Sequence, residues 1–299
     1  MLFIEKPYEF APVIVPDDVT VTPDIAYMTG ARHTLDIYQP KQATSGLRPV
    51  IIDIYGGGLY FGDKSSFKLQ NSLKLTKAGF VVVSPDYSLI WQQPFPTQIH
   101  EIKAVIRWVR AHAAEYQIDP QRIILSGESS GAHLAVLTAV TAHQNTMRDV
   151  TFGKYPEQPE TVQAVMASYG PYQMDVMPDQ FKVLGLTPKF PETGAANSFE
   201  GQMFDQQAPK TVPDLVAEYN PATYFVAGMP PMLILAGNDD HVVPVLQSQN
   251  LAVAALQVLP ADQVACWWVQ DGDHGPADFA GDDVVAWKLD HLQAWGLTK

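Results

Sequence analysis

Residues 122–131 read Arg-Ile-Ile-Leu-Ser-Gly-Glu-Ser-Ser-Gly, and residues 132–140 continue Ala-His-Leu-Ala-Val-Leu-Thr-Ala-Val. A β-branched apolar run thus meets a helix-forming apolar run across Gly127-Glu128-Ser129-Ser130-Gly131. In a G-x-S-x-G elbow the serine sits on a strained strand-to-helix turn, and small flanking residues let the two elements approach closely. The spacing lifts the Ser129 hydroxyl above a sheet, at a helix N-terminus whose dipole favours developing negative charge. Ser129 is therefore read as a nucleophile.

The same strand–helix alternation runs outward in both directions. Short apolar runs bounded by Gly, Pro, Asp or Ser predict strands at 33–38, 49–55, 80–84, 122–126, 162–168, 231–236 and 264–269. Their near-continuous hydrophobicity is that of strands buried on both faces of a mainly parallel sheet. Helices are predicted near 65–78, 97–116, 129–143, 244–258 and 282–295. In the second of these Ile99, Ile102, Ile106 and Val109 share one face, while Lys103, Arg107 and Arg110 fall elsewhere. Alternation of this kind predicts a doubly wound α/β sheet. The whole chain, 1–299, is read as a single domain. Residues 1–30, dotted with prolines, are expected to wrap the sheet edge. Residues 171–229, where Pro188, Pro191, Pro209 and Pro213 interrupt any long helix, are expected to form a cap-like insertion over one end of the sheet.

Charge narrows the choice of partners. The 299 residues carry 19 Lys plus Arg against 32 Asp plus Glu, a net charge of −13. An acidic surface repels phosphate backbones and anionic headgroups, so neither nucleic acid nor a membrane is an expected partner. The lone Cys266 permits no intrachain disulfide and is expected to be an inert buried thiol. Glu5 and Lys6 break the N-terminal apolar run, and no stretch has the roughly 18 apolar residues of a spanning helix. A soluble, cytoplasmic protein is expected. No H-x-x-x-H or multi-cysteine spacing points to a metal. Gly56-Gly57-Gly58 lacks the Lys-Ser/Thr of a phosphate loop. No cofactor is expected.

A serine needs a base, and the base needs an orienting acid. Of eight histidines, only His274 lies in a glycine-flanked loop beyond a late strand; His133, one turn past Ser129, is the alternative. The histidines at 33, 100, 112 and 291 are expected at the surface or at interfaces. For the acid, Asp239 and Asp240 both follow the strand at 231–236. Asp240 is favoured because an apolar turn follows it. Asp271 and Asp273 read as a solvated acidic loop. Three glycines directly after the strand at 49–55 let backbone amides reach a developing oxyanion. The expected donors are the amides of Gly57, Gly58 and Ser130. Tyr60 and Phe61 are candidate pocket residues. Glu128 is a weaker one and is expected mainly to steady the elbow.

With these residues in place the chain resembles the α/β-hydrolase superfamily, and more closely its bacterial esterases related to hormone-sensitive lipase and to feruloyl and acetylxylan esterases. The resemblance rests on LDIYQP, VIIDIYGGGLYFGDK, FVVVSPDYSL, the long stretch from FPTQIH to GAHLA, NPATYF, PPMLILAGNDDHVVPVLQS and GDHG, spanning about 33–295. It aligns Asp240 with the acid of a D-x-V-V-P turn and His274 with a G-H-G base. It implies a serine carboxylesterase acting on short-acyl esters, among them acetylated or aryl-acylated sugars, with a small-molecule ester as partner. Amide cleavage on the same triad is the alternative. An intact serine, acid and histidine argue against a ligand-binding module without turnover. Two residues depart from the common pattern. Tyr55 stands where histidine usually precedes the glycines, and Ser88 replaces the arginine of D-Y-R-L, removing an expected ion pair.

Overall fold

Continuous apolar runs become strands with both faces covered. The computed structural model describes residues 2–298. Its eight strands are β1 (Val19–Ala26), β2 (Thr34–Pro40), β3 (Arg48–Ile54), β4 (Val81–Pro85), β5 (Ile118–Glu128), β6 (Ala164–Ser168), β7 (Met232–Gly237) and β8 (Val264–Val269). They form one sheet in the order β1-β2-β4-β3-β5-β6-β7-β8. The β1–β2 and β2–β4 pairs are antiparallel, and every pair from β4 through β8 is parallel. Strands β3, β4 and β7 are buried at every position.

The helices are α1 (Gln70–Leu73), α2 (Thr97–Ala111), α3 (Ser130–His143), α4 (Met177–Leu184), α5 (Phe199–Met203), α6 (Pro213–Tyr219), α7 (Leu246–Leu256) and α8 (Asp282–Ala294). Strand alternation divides the core into two layers. Val50, Ile52 and Ile54 of β3 face α2, α3 and α7, whereas Ile51 faces the layer that holds Leu73, Val284 and Leu292. None of the helices is long and apolar enough to cross a membrane among the described residues.

Two expectations need correction, and a third feature was not anticipated. Residues 1–30 do more than wrap the edge, because Val19–Ala26 is an edge strand whose register slips between Thr22 and Ile25. Pro23 lies inside that slip, and proline is tolerated at just such an irregular edge. The helix expected over 65–78 is one α turn between two 3₁₀ turns. The polar face of α2 is buried beneath the segment that follows α3. Lys103 donates to the carbonyls of Thr146 and Met147, Arg107 bonds Glu160 and the Phe152 carbonyl, and Arg110 donates to Pro159 and Thr161. Buried cations survive here because each finds a carboxylate or carbonyls.

Candidate active site

Every side chain expected to do chemistry emerges from the C-terminal end of a parallel strand, where ligands bind in open α/β sheets. Strand β5 ends at Glu128, and Ser129 follows with φ 53° and ψ −129° as the N-cap of α3. The two glycines permit this turn. A Cβ on Gly127 would lie 2.2 Å from the Gly131 carbonyl oxygen, and one on Gly131 would lie 2.0 Å from that of Ile54. Helix α3 can therefore start against the ends of β3 and β5 only with no side chain at either position.

Asp240 follows β7 and is fully buried. Its Oδ1 accepts the Val242 and Val243 amides at 2.8 Å each, so the apolar turn does fix the carboxylate. Its Oδ2 accepts from His274 Nδ1 at 2.7 Å. A carboxylate accepts, so Nδ1 carries the ring hydrogen and the Nε2 lone pair faces Ser129 Oγ at 2.9 Å. Asp239 does not reach His274; it lies exposed, 3.5 Å from His241. His133 is buried away from Ser129. Its Nε2 donates to the Tyr219 carbonyl at 2.8 Å, and burial pushes its pKa down to about 4. Asp271 and Asp273 are exposed, as expected of a solvated loop, and Asp273 Oδ1 also accepts the His274 amide at 2.7 Å.

The glycine loop follows β3. Gly57 and Gly58 have φ of +130° and +61°, values that a side chain would strain. A Cβ on Gly56 would meet the Ser129 Cβ at 2.7 Å, so the loop lies directly against the elbow. The Gly56 amide donates to Glu128 Oε1 at 2.7 Å, and among the described residues the Gly57 and Gly58 amides have no protein acceptor. Ser130 opens α3, where the first amides of a helix lack intrahelical partners. Its hydroxyl accepts from the Leu59 amide at 3.1 Å.

Glu128 lines the cavity, but its carboxylate is fully engaged. It accepts from Gly56, from Lys68 Nζ at 2.7 Å and from the Tyr169 hydroxyl at 3.0 Å. Burial alone would raise its pKa, yet the Lys68 ammonium holds it below the ordinary carboxylate value. Lys68 and Tyr169 escaped the sequence reading, which had no pattern to place them beside the elbow. Tyr169 also packs edge-on against the His274 ring, with centroids 4.8 Å apart.

Ser129 and His274 open into a cavity of about 680 Å³ walled by the glycine loop, by Phe190 and Phe199 of the 171–229 segment, and by residues Phe3 to Ala11. Phe61 lines it; Tyr60 is not among its walls. The N-terminal segment is held by the Phe3 amide, which donates to Glu192 Oε1 at 2.6 Å.

Both departures from the esterase pattern resolve in one cluster. The missing arginine leaves no missing ion pair, because Arg32 lies 3.2 Å from Asp86. The same guanidinium donates to the Tyr55 hydroxyl at 2.5 Å. The neighbouring His33 is half-buried and bonds the buried Glu101 at 2.9 Å.

Next to Phe199, Glu200 is buried completely. Burial pushes its carboxyl up to about 7, only partly offset by the Ser198 hydroxyl and nearby amides. Between its ordinary value of 4.5 and about 7, the folded chain keeps a proton that the unfolded chain has lost. Stability therefore falls as pH rises through that window, and the cost is complete above it. Glu200→Gln is expected to be more stabilising at pH 8.5 than at pH 5, by about 2–3 kcal/mol. Urea unfolding at both pH values checks this; an equal effect at the two would contradict it.

A family model described as BD-FAE matches residues 35–255. This chain belongs to the BD-FAE family. Its fold and relatives are those of α/β-hydrolase esterases. A solved structure described as a truncated carbohydrate esterase from gut microbiota has a TM-score of 0.81 and 27% identity, covering 96% of this chain and 99% of that one. A bifunctional GH43-CE protein of Bacteroides eggerthii gives 0.78 and 28%, covering 92% of this chain and 38% of its own. The probable carboxylic ester hydrolase LipM of Mycobacterium tuberculosis is 29% identical over 244 residues, 79% of this chain and 52% of its own. The chain spans about half the length of the curated relatives it matches first.

Proposed function

We propose that this BD-FAE-family chain is a serine carboxylesterase for short-acyl esters, acting through a Ser129–His274–Asp240 triad. The observation that carries the reading is the unbroken hydrogen-bonded line from the buried Asp240 carboxylate through His274 to the Ser129 hydroxyl. In this mechanism His274 Nε2 takes the Ser129 proton as Oγ attacks the ester carbonyl. Asp240 holds the ring tautomer and stabilises the imidazolium that forms. The carbonyl oxygen becomes an oxyanion facing the amides of Gly57, Gly58 and Ser130, each donor being worth roughly 2.7–4 kcal/mol of barrier. Collapse of the tetrahedral intermediate expels the alcohol, which receives the proton from His274 Nε2. Water, activated by the same nitrogen, then frees the acid and regenerates Ser129.

A larger alcohol is favoured by the cavity over Ser129 and His274, whose volume of about 680 Å³ has aromatic walls suited to a sugar or aryl ring. Acetylated or aryl-acylated sugars are accordingly the proposed substrates, in keeping with the similarity to a carbohydrate esterase. The test is p-nitrophenol release from acetate, butyrate and octanoate esters. Turnover falling with chain length is expected; faster turnover of octanoate, or cleavage of anilides alone, would overturn the proposal.

A further inference from the structure

We infer that Arg32 is the positioning residue of the glycine loop, acting through the Tyr55 hydroxyl and the Gly62 carbonyl. The inference rests on the reading of that loop as the oxyanion site. Amides stabilise a developing charge only if they are already aimed before the charge appears. Three successive glycines cannot supply that order themselves, since glycine populates both halves of φ space. Within the loop, the Tyr60 and Phe61 amides both donate to the Gly57 carbonyl at 3.0 Å, the Gly56 and Leu59 amides are held by Glu128 and Ser130, and the Leu59 carbonyl accepts the Ile90 amide at 2.8 Å; what these bonds do not hold is the pair of ends that flank the glycines.

Those ends, Tyr55 and Gly62, converge on one guanidinium. Arg32 Nη2 lies 2.5 Å from the Tyr55 hydroxyl, 3.0 Å from the Gly62 carbonyl and 3.2 Å from Asp86 Oδ1, its two hydrogens shared among three acceptors. Nε donates to the Tyr87 carbonyl at 2.9 Å. The ends also touch each other, because a Cβ on Gly62 would lie 2.3 Å from the Tyr55 ring. Behind them Tyr55 stacks on Tyr87 at 4.5 Å, and the Tyr87 hydroxyl donates to the Tyr55 carbonyl at 2.7 Å. Asp86 Oδ1 also accepts the Lys64 amide at 3.0 Å, fixing the chain just past the loop.

The arginine is itself anchored. It lies in the turn between β1 and β2, where Tyr27 donates to the Asp86 carbonyl at 2.8 Å and His33 bonds Glu101. A planar guanidinium suits this task because it spreads donors in a fixed fork and keeps its charge at any working pH. A lysine ammonium placed at the Nη2 position has three hydrogens for Tyr55, Gly62 and Asp86, but it could not at the same time reach the Tyr87 carbonyl that Nε holds. Arg32 is absent from the cavity wall, so its effect on catalysis passes through the residues it holds.

Two variants test this on a soluble short-acyl ester. Arg32→Met keeps the length of the side chain but deletes every donor, and Tyr55→Phe keeps the ring stack while deleting the hydroxyl. Arg32→Met is expected to lower kcat by about tenfold to a hundredfold, and Tyr55→Phe by about tenfold, with KM within about twofold. A trifluoromethyl ketone, which forms the tetrahedral adduct, is expected to bind each variant more weakly by the same factor as kcat. A residue that only supports the fold would lower the melting temperature and leave kcat per folded molecule unchanged. That outcome in both variants, or a kcat loss without loss of ketone affinity, would overturn the inference. Wild-type protein lacking serine-dependent turnover would instead remove the esterase reading beneath it.

Discussion

Asp240→Asn is expected to lower kcat on a short-acyl ester by about four orders of magnitude with the fold retained. The two side chains have the same shape, and an asparagine Oδ1 still accepts the Val242 and Val243 amides that hold the turn. What changes is the face toward His274. Asp240 Oδ2 accepts from Nδ1, but an amide nitrogen in its place can only donate. The ring then takes the opposite tautomer and presents Nε2–H to Ser129 Oγ, which accepts that hydrogen but has no lone pair on the ring to take its own. Serine loses its base, and the imidazolium loses the charge that stabilises it. Initial rates alongside near-ultraviolet circular dichroism check both halves; a well-folded variant retaining more than a tenth of wild-type kcat would assign the acid elsewhere.

Ser129→Ala is the second large effect. Loss of the nucleophile is expected to lower kcat/KM by five to six powers of ten, in proportion to the loss known for serine triads generally. Stability changes little by comparison. Alanine at φ 53° bears the same backbone strain as serine, and only the hydrogen bond to His274 disappears. One such bond is worth about 1 kcal/mol, or roughly 2 °C in Tm at this chain length. A variant that fails to fold would mean that Ser129 serves the turn more than the chemistry.

The sheet from β2 through β8 and the arrangement of the candidate site were legible because each rests on local patterns. Strands buried on both faces read as apolar runs, and the elbow, glycine loop, D-x-V-V-P turn and GDHG loop lie directly after four of them. Edge strand β1 was hidden because its half-exposed pattern is broken at Pro23 and its pairing slips there. The buried polar face of α2 was illegible for another reason. What covers Lys103 and Arg107 is a segment some forty to fifty residues later, whose carbonyls carry no side-chain signature. Arg32 combines both problems. It stands in the turn after the unread strand, 23 residues from the tyrosine it holds.

Treatment with a p-nitrophenyl alkylphosphonate, followed by intact-mass measurement and peptide mapping, asks whether Ser129 is the nucleophile. Such a reagent phosphonylates an activated serine and releases one p-nitrophenol as it does so. One adduct per chain is expected on the peptide containing Ser129, matching complete loss of esterase activity, with no adduct on Ser129→Ala. An adduct on any other residue, or an active wild-type enzyme left unmodified at Ser129, would contradict it.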